Sequence, residues 1–210
     1  GITSQYLEID VTGATNPGTC TFFYTRDGGQ DVCTFRYNRV IASTFPRTSN
    51  IQFQPINRGV SSGIDLDVYG CYFQGCYQSL ITTWTSNAGA VTKLHDCVFI
   101  DDTTSTISSI LFTLAFNPTE GNPEFYNNTM YVHQDTGGSG LITRFAIFDD
   151  FSGNSGGIVF KNNVFWVDND TVTNVDALDR FIQGSPTGTS TFDGTEDIGY
   201  NIFYTGPALA

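Results

Sequence analysis

The 210-residue sequence predicts an all-β solenoid, one domain over residues 1–210 built from about six to seven stacked coils. Three observations predict it. A short phrase, apolar-x-x-(Asn or Cys)-x-apolar, recurs six times in order along the chain. Each copy is followed by residues that alternate in polarity or run continuously apolar over a few positions, as strands do. Turn-forming residues, among them 22 glycines, fill the intervals.

The copies are Phe35/Asn38/Val40, Val68/Cys71/Phe73, Leu94/Cys97/Phe99, Phe125/Asn128/Met130, Phe160/Asn163/Phe165 and Ile198/Asn201/Phe203, their central residues 33, 26, 31, 35 and 38 apart. Such intervals suit one supersecondary unit per repeat with loops of variable length. Helical repeats of this size need ten or more residues of 3.6-period pattern, whereas these units are short and rich in Val, Ile, Phe and Tyr. They are therefore strands.

A sandwich or a propeller could also use strands at regular intervals. The recurring polar residue favours the solenoid, because stacked coils set each such residue above its counterpart at about 4.8 Å. Asparagines stacked in this way bond one another and the backbone, sparing buried polar groups a cost of about 1–3 kcal/mol each. Asn38, Cys71, Cys97, Asn128, Asn163 and Asn201 are accordingly expected to form an internal ladder, with the small thiols of Cys71 and Cys97 as two of its rungs.

The phrases "LHDCVFID", "FYNNTMYV" and "FKNNVFWV" resemble the right-handed parallel β-helix family, and the resemblance runs over roughly residues 33 to 205. It implies a right-handed parallel β-helix. That family includes pectin-cleaving enzymes, phage tailspikes and cell-surface adhesins, so the resemblance implies a fold and leaves function open.

One segment departs from the strand pattern. Asn174, Val175, Leu178 and Ile182, followed by Gly184, have a cap, an apolar stripe and a stop, which predicts a short helix in the last long loop. Residues 1–19 and 206–210 are the weak candidates for end caps.

Nine basic residues against 21 acidic ones give a net charge of −12, which repels phosphate backbones and anionic lipid. Nucleic acid is not an expected partner, and no apolar stretch has the length of a membrane span. An extracellular, cell-surface or virion-surface setting fits the acidity, and the chain is read as processed, a fragment or exported. The five cysteines (Cys20, Cys33, Cys71, Cys76 and Cys97) lack metal-like spacing, so a structural zinc is not expected. Cys71 and Cys97 as adjacent rungs stand close enough for a disulfide, with stacked free thiols the expected state.

Catalytic motifs are weak. "GNSGG" at 153–157 resembles the nucleophile segment of trypsin-like proteases, but the family's histidine motif is absent and the only histidines are His95 and His133. The pairs Asp101-Asp102 and Asp149-Asp150 invite comparison with glycoside hydrolases, which flank the scissile bond with two carboxyls. The Gly-His-Gly and Arg-x-Lys motifs of β-helix polygalacturonases are missing. Asp168-Asn169-Asp170 offers oxygens of the kind calcium takes, without a basic residue beside it; no cofactor is required by this reading. The sequons at Asn127 and Asn169 matter only if the source glycosylates secreted proteins, and Asn127, which adjoins a ladder turn, is read as structural.

Alternation places the residues two positions after each rung inside and those three after it outside. The outward set is Ile41, Gln74, Ile100, Tyr131, Trp166 and Tyr204, ending in three aromatics in consecutive coils. Five positions after the rungs, on the same face, stand Ser43, Cys76, Asp102, His133 and Asp168. Aromatic faces beside carboxylate and imidazole suit a sugar ring. Tyr131, Trp166 and Tyr204, with Asp102, His133 and Asp168, are therefore the candidate glycan-binding residues; coverage of the column by a loop, or by a subunit of a homo-trimer or larger surface assembly, is the competing expectation. A non-enzymatic structural or adhesive role is expected, and a tailspike-type polysaccharide lyase or hydrolase is the alternative.

Overall fold

A computed structural model of the chain describes residues 2–11, 20–25, 32–42, 53–58, 65–75, 81–84, 91–101, 112–115, 124–134, 146–149, 159–169, 182–184 and 197–206. All the elements within them are strands. In chain order the first tiers are β1 (Thr3–Gln5), β2 (Glu8–Asp10) and β3 (Cys20–Thr25); β4 (Val32–Arg36), β5 (Arg39–Ile41) and β6 (Phe53–Arg58); and β7 (Asp65–Tyr69), β8 (Tyr72–Gln74) and β9 (Ile81–Trp84). Then come β10 (Thr92–His95), β11 (Val98–Asp101) and β12 (Phe112–Ala115); and β13 (Glu124–Tyr126), β14 (Thr129–Gln134) and β15 (Ala146–Asp149). The last are β16 (Val159–Lys161), β17 (Val164–Asn169) and β18 (Ile182–Gly184), followed by β19 (Asp197–Gly199) and β20 (Ile202–Gly206).

Each strand from β1 to β17 pairs in parallel with the strand three places on. The result is three parallel sheets, with orders β1-β4-β7-β10-β13-β16-β19, β2-β5-β8-β11-β14-β17-β20 and β3-β6-β9-β12-β15-β18. They are called here the first, second and third sheets. This order is consistent with a parallel β-solenoid in which each tier adds one strand to each sheet.

The turn between the first two sheets explains the paired asparagines of the repeat. The residue before each rung adopts a left-handed backbone: Tyr6, Tyr37, Asp96, Asn127, Asn162 and Tyr200 have φ of 53–58°, and Gly70 has φ 62°. Asn and Asp tolerate this region better than other residues with a Cβ. In "FKNNVFWV" the exposed Asn162 thus makes the corner, and the buried Asn163 is the rung.

The rungs bond from tier to tier in one direction. Asn128 N–H and Nδ2 both donate to Asn163 Oδ1 at 3.0 Å, and Asn163 Nδ2 donates to Phe125 O at 3.2 Å. The pattern repeats above, where Asn163 N–H donates to Asn201 Oδ1 at 3.0 Å and Asn201 Nδ2 donates to Phe160 O at 2.8 Å. Each asparagine therefore accepts from the rung before it and donates to the carbonyl three residues ahead of that rung. The thiols imitate this: Cys71 N–H lies 3.5 Å from Cys97 Sγ, and Cys71 Sγ lies 3.5 Å from Phe35 O.

Cys33, Cys71 and Cys97 are buried and free. Burial pushes the Cys97 thiol well above its ordinary range. Beside the ladder, Val40, Phe73, Phe99, Met130 and Phe165 are buried, with Phe73 and Phe99 stacked at 5.1 Å. The side chain of Phe203 lies outside the described set. Each such buried side chain contributes about 1.5–3 kcal/mol through apolar surface removed from water.

Within the stretch named as a cap candidate, β1 and β2 form a further tier, in which Leu7 holds the rung place and its N–H donates to Asn38 Oδ1 at 2.9 Å. One sequence expectation is revised. The helix expected to run through Ile182 to a stop at Gly184 does not reach them, because both residues are in β18. Ile182 pairs in parallel with Ala146 and Gly184 with Phe148, so the sheet claims these backbone groups. Residues 174–181 lie outside the described set.

Candidate functional site

Two outward surfaces carry chemistry, one on each of the first two sheets. The second sheet positions the aromatic column. Its register sets Ile41 beside Gln74, Gln74 beside Ile100, Ile100 beside Tyr131, Tyr131 beside Trp166 and Trp166 beside Tyr204. Trp166 packs at right angles to both neighbours, 5.4 Å from Tyr131 and 5.6 Å from Tyr204, with interplanar angles of 84°. Such edge-to-face pairs hold the rings in fixed relative positions. Trp166 and Tyr204 remain 37% and 38% exposed, so the column presents aromatic surface to solvent while supporting itself from strand to strand.

The polar companions are less fully defined. His133 and Asp168 are register partners two residues beyond Tyr131 and Trp166, which puts both positions on the aromatic face of the sheet. Their side chains, along with Ser43, Cys76 and Asp102 altogether, fall outside the described set.

The first sheet holds a second group that the sequence reading missed. His95 lies between two tyrosines, its ring 5.0 Å from Tyr69 and 4.6 Å from Tyr126 and within 9° of parallel to each. Both of its nitrogens meet carboxylates: Nε2 is 3.1 Å from Asp67 Oδ1 and Nδ1 is 2.7 Å from Asp96 Oδ2. An ionised carboxylate only accepts, so the imidazolium alone can donate to both. The contact with His95 holds the Asp96 carboxyl below its usual range, and Asn127 Nδ2 adds a second donor at 3.1 Å.

Beside this triad Lys93 pairs with Glu124 at 3.0 Å, which raises the Lys93 ammonium, and burial raises the Tyr126 phenol. Asp65, Asp67, Lys93, His95 and Tyr126 line an open depression of about 310 Å³. The arrangement can exchange protons and can hydrogen-bond hydroxyl groups. Its sequence signal was faint: Tyr69, His95 and Tyr126 each stand two residues before a rung, but Asp67 is 28 residues from His95 and reaches it only through the strand register.

Among the described residues no group of three or more His, Cys, Asp or Glu side chains has metal-holding geometry. Of the Asp168-Asn169-Asp170 segment, the first two residues are in β17 and Asp170 lies outside the described set. Comparison with family models finds no match, and neither do searches of curated proteins and of solved structures. The functional reading therefore rests on the two surfaces.

Proposed function

We propose that the chain is a right-handed parallel β-helix with a structural and adhesive role at a cell or virion surface, and that it binds glycans through Tyr131, Trp166 and Tyr204. One observation carries the reading: three aromatic side chains stand in register on β14, β17 and β20, with Trp166 and Tyr204 exposed. Consecutive strands lie about 4.8 Å apart, so the column offers a ribbon along which successive sugar rings can stack while hydroxyls reach the polar positions of His133 and Asp168. The acidic surface, −12 overall, favours neutral or cationic glycans over sulfated ones.

The test is Trp166→Ala on a glycan array, with circular dichroism to confirm folding. Loss of about tenfold or more in affinity for the glycans bound by the parent supports the reading. Unchanged affinity in a folded variant overturns it. Loss of a native oligomer instead assigns the column to a subunit interface.

A polysaccharide-cleaving activity is the second reading. It draws on the Asp67–His95–Asp96 group beside the open depression, which supplies a proton donor and acceptors at one place. A reducing-sugar assay against a polysaccharide panel decides it, with His95→Gln as the control. Cleavage lost in the variant favours the enzyme.

A further inference from the structure

The outward face of the second sheet carries two neighbouring columns that change character together. The residue directly after each rung and the residue two further on both point outward, because the one between them is buried, as Phe99, Met130 and Phe165 are. In the early tiers the column next to the rungs is polar. Glu8 pairs with Arg39 at 3.1 Å, the Arg39 guanidinium lies 5.6 Å from the Tyr72 ring, and Tyr72 Oη donates to Gln74 Oε1 at 3.1 Å. From β11 onward the same column consists of Val98, Thr129, Val164 and Ile202, set side by side by the strand register. Val98 and Ile202 are 38% and 60% exposed, Thr129 is exposed and Val164 is half-buried.

The fold does not require an aliphatic side chain at this position, since Glu8 and Arg39 hold it in tiers of the same register. The aliphatic strip instead keeps company with the aromatic column. It lies two residues, about 6.7 Å, from Tyr131, Trp166 and Tyr204 along the same three strands. On the other flank of the aromatics are the positions of His133 and Asp168. Across β14 the order is therefore Thr129, Tyr131, His133, and across β17 it is Val164, Trp166, Asp168. A sugar stacked on the column meets polar positions along one edge and methyl groups along the other.

We infer that the glycan held by Tyr131, Trp166 and Tyr204 carries methyl groups along one edge, as N-acetylhexosamines and methylpentoses do, and that Val164 and Ile202 receive them. The inference rests on the glycan reading proposed above and names the class of sugar. A ring seated on Trp166 reaches Val164 with one equatorial substituent. A methyl there covers aliphatic surface, whereas a hydroxyl in its place gives up water without gaining a partner from the valine. The strip thus selects methyl-bearing sugars over plain hexoses.

A glycan array printed with matched pairs tests this: the N-acetylglucosamine tetramer against the glucose tetramer of the same linkage, and fucosides against the corresponding galactosides. Burying one methyl changes affinity about three- to fivefold. The parent chain is expected to prefer the methyl-bearing member of at least one pair by about threefold or more; preference in the first pair assigns the acetamide, and preference in the second the methylpentose. Val164→Thr keeps the β-branched shape and the strand preference while exchanging a methyl for a hydroxyl. It is expected to bring the ratio for that pair close to one and to leave affinity for the plain hexose member unchanged, and Ile202→Thr is the second variant. Equal binding within both pairs overturns the inference, and so does a ratio unchanged in both folded variants while Trp166→Ala still abolishes binding. If Trp166→Ala leaves binding unchanged, or the parent binds no glycan, the glycan reading itself fails and the inference falls with it.

Discussion

The ring of Tyr37 occupies the space a side chain at Gly70 would need: a Cβ built there sits 2.6 Å from Tyr37 Cδ1 and 2.7 Å from Cε1. The two corners belong to adjacent tiers, and Gly70 has φ +62°. The glycine is thus required twice, by its own backbone and by its neighbour's ring.

Gly70→Ala is expected to destabilise the fold by about 1–3 kcal/mol, combining the left-handed backbone cost with displacement of the Tyr37 ring. Urea unfolding measures it. In the Tyr37→Ala background the same change should cost less, because only the backbone part remains, and that non-additivity separates the two causes.

Asn163→Ala removes an acceptor for Asn128 and a donor to Phe125 O at a buried site. A loss of about 3–5 kcal/mol is expected, since several groups lose partners together. Asn201→Ala, at a half-buried site, should cost less. Equal losses measured by denaturant titration would show that tertiary burial does not set the strength of the rungs.

Acid should weaken the first sheet through Asp96. Its folded carboxyl is held below the ordinary value by His95, so its contribution is present above the unfolded value and is lost as pH falls through the folded one. The window lies below about pH 4. Asp96→Asn should flatten the acid limb of a stability-against-pH curve while lowering stability near neutrality; because the side chain is largely exposed, both effects should be small.

How much of this was legible in the sequence depended on whether a residue recurs at a fixed offset. Asn38, Cys71, Cys97, Asn128, Asn163 and Asn201 announce their tiers because an amide inside a strand pattern is uncommon and the amides and thiols reappear three residues after an apolar one. Tyr131, Trp166 and Tyr204 followed from simple alternation, and the strand register aligns them. Leu7 concealed the first tier because its rung lacks an amide. The third sheet was also hidden, since β3, β6, β9, β12, β15 and β18 share no marker residue and lie at variable distances from the rungs. His95 was overlooked for a different reason: its importance lies in Asp67 and Tyr126, residues of the neighbouring tiers that only parallel pairing brings to it.

The one-way ladder also bears on how such a chain is made. A rung donates its main-chain N–H to the asparagine or thiol of its successor, so a tier emerging during synthesis holds an unmet donor until 26 to 38 further residues have been added. Growth from the N-terminus then completes each tier with the next one, and the newest tier is always the unfinished one. Shortening from the C-terminal side strips the acceptor from the rung N–H left behind, whereas shortening from the N-terminal side frees the next rung's Oδ1 and takes away the carbonyl to which its Nδ2 donates.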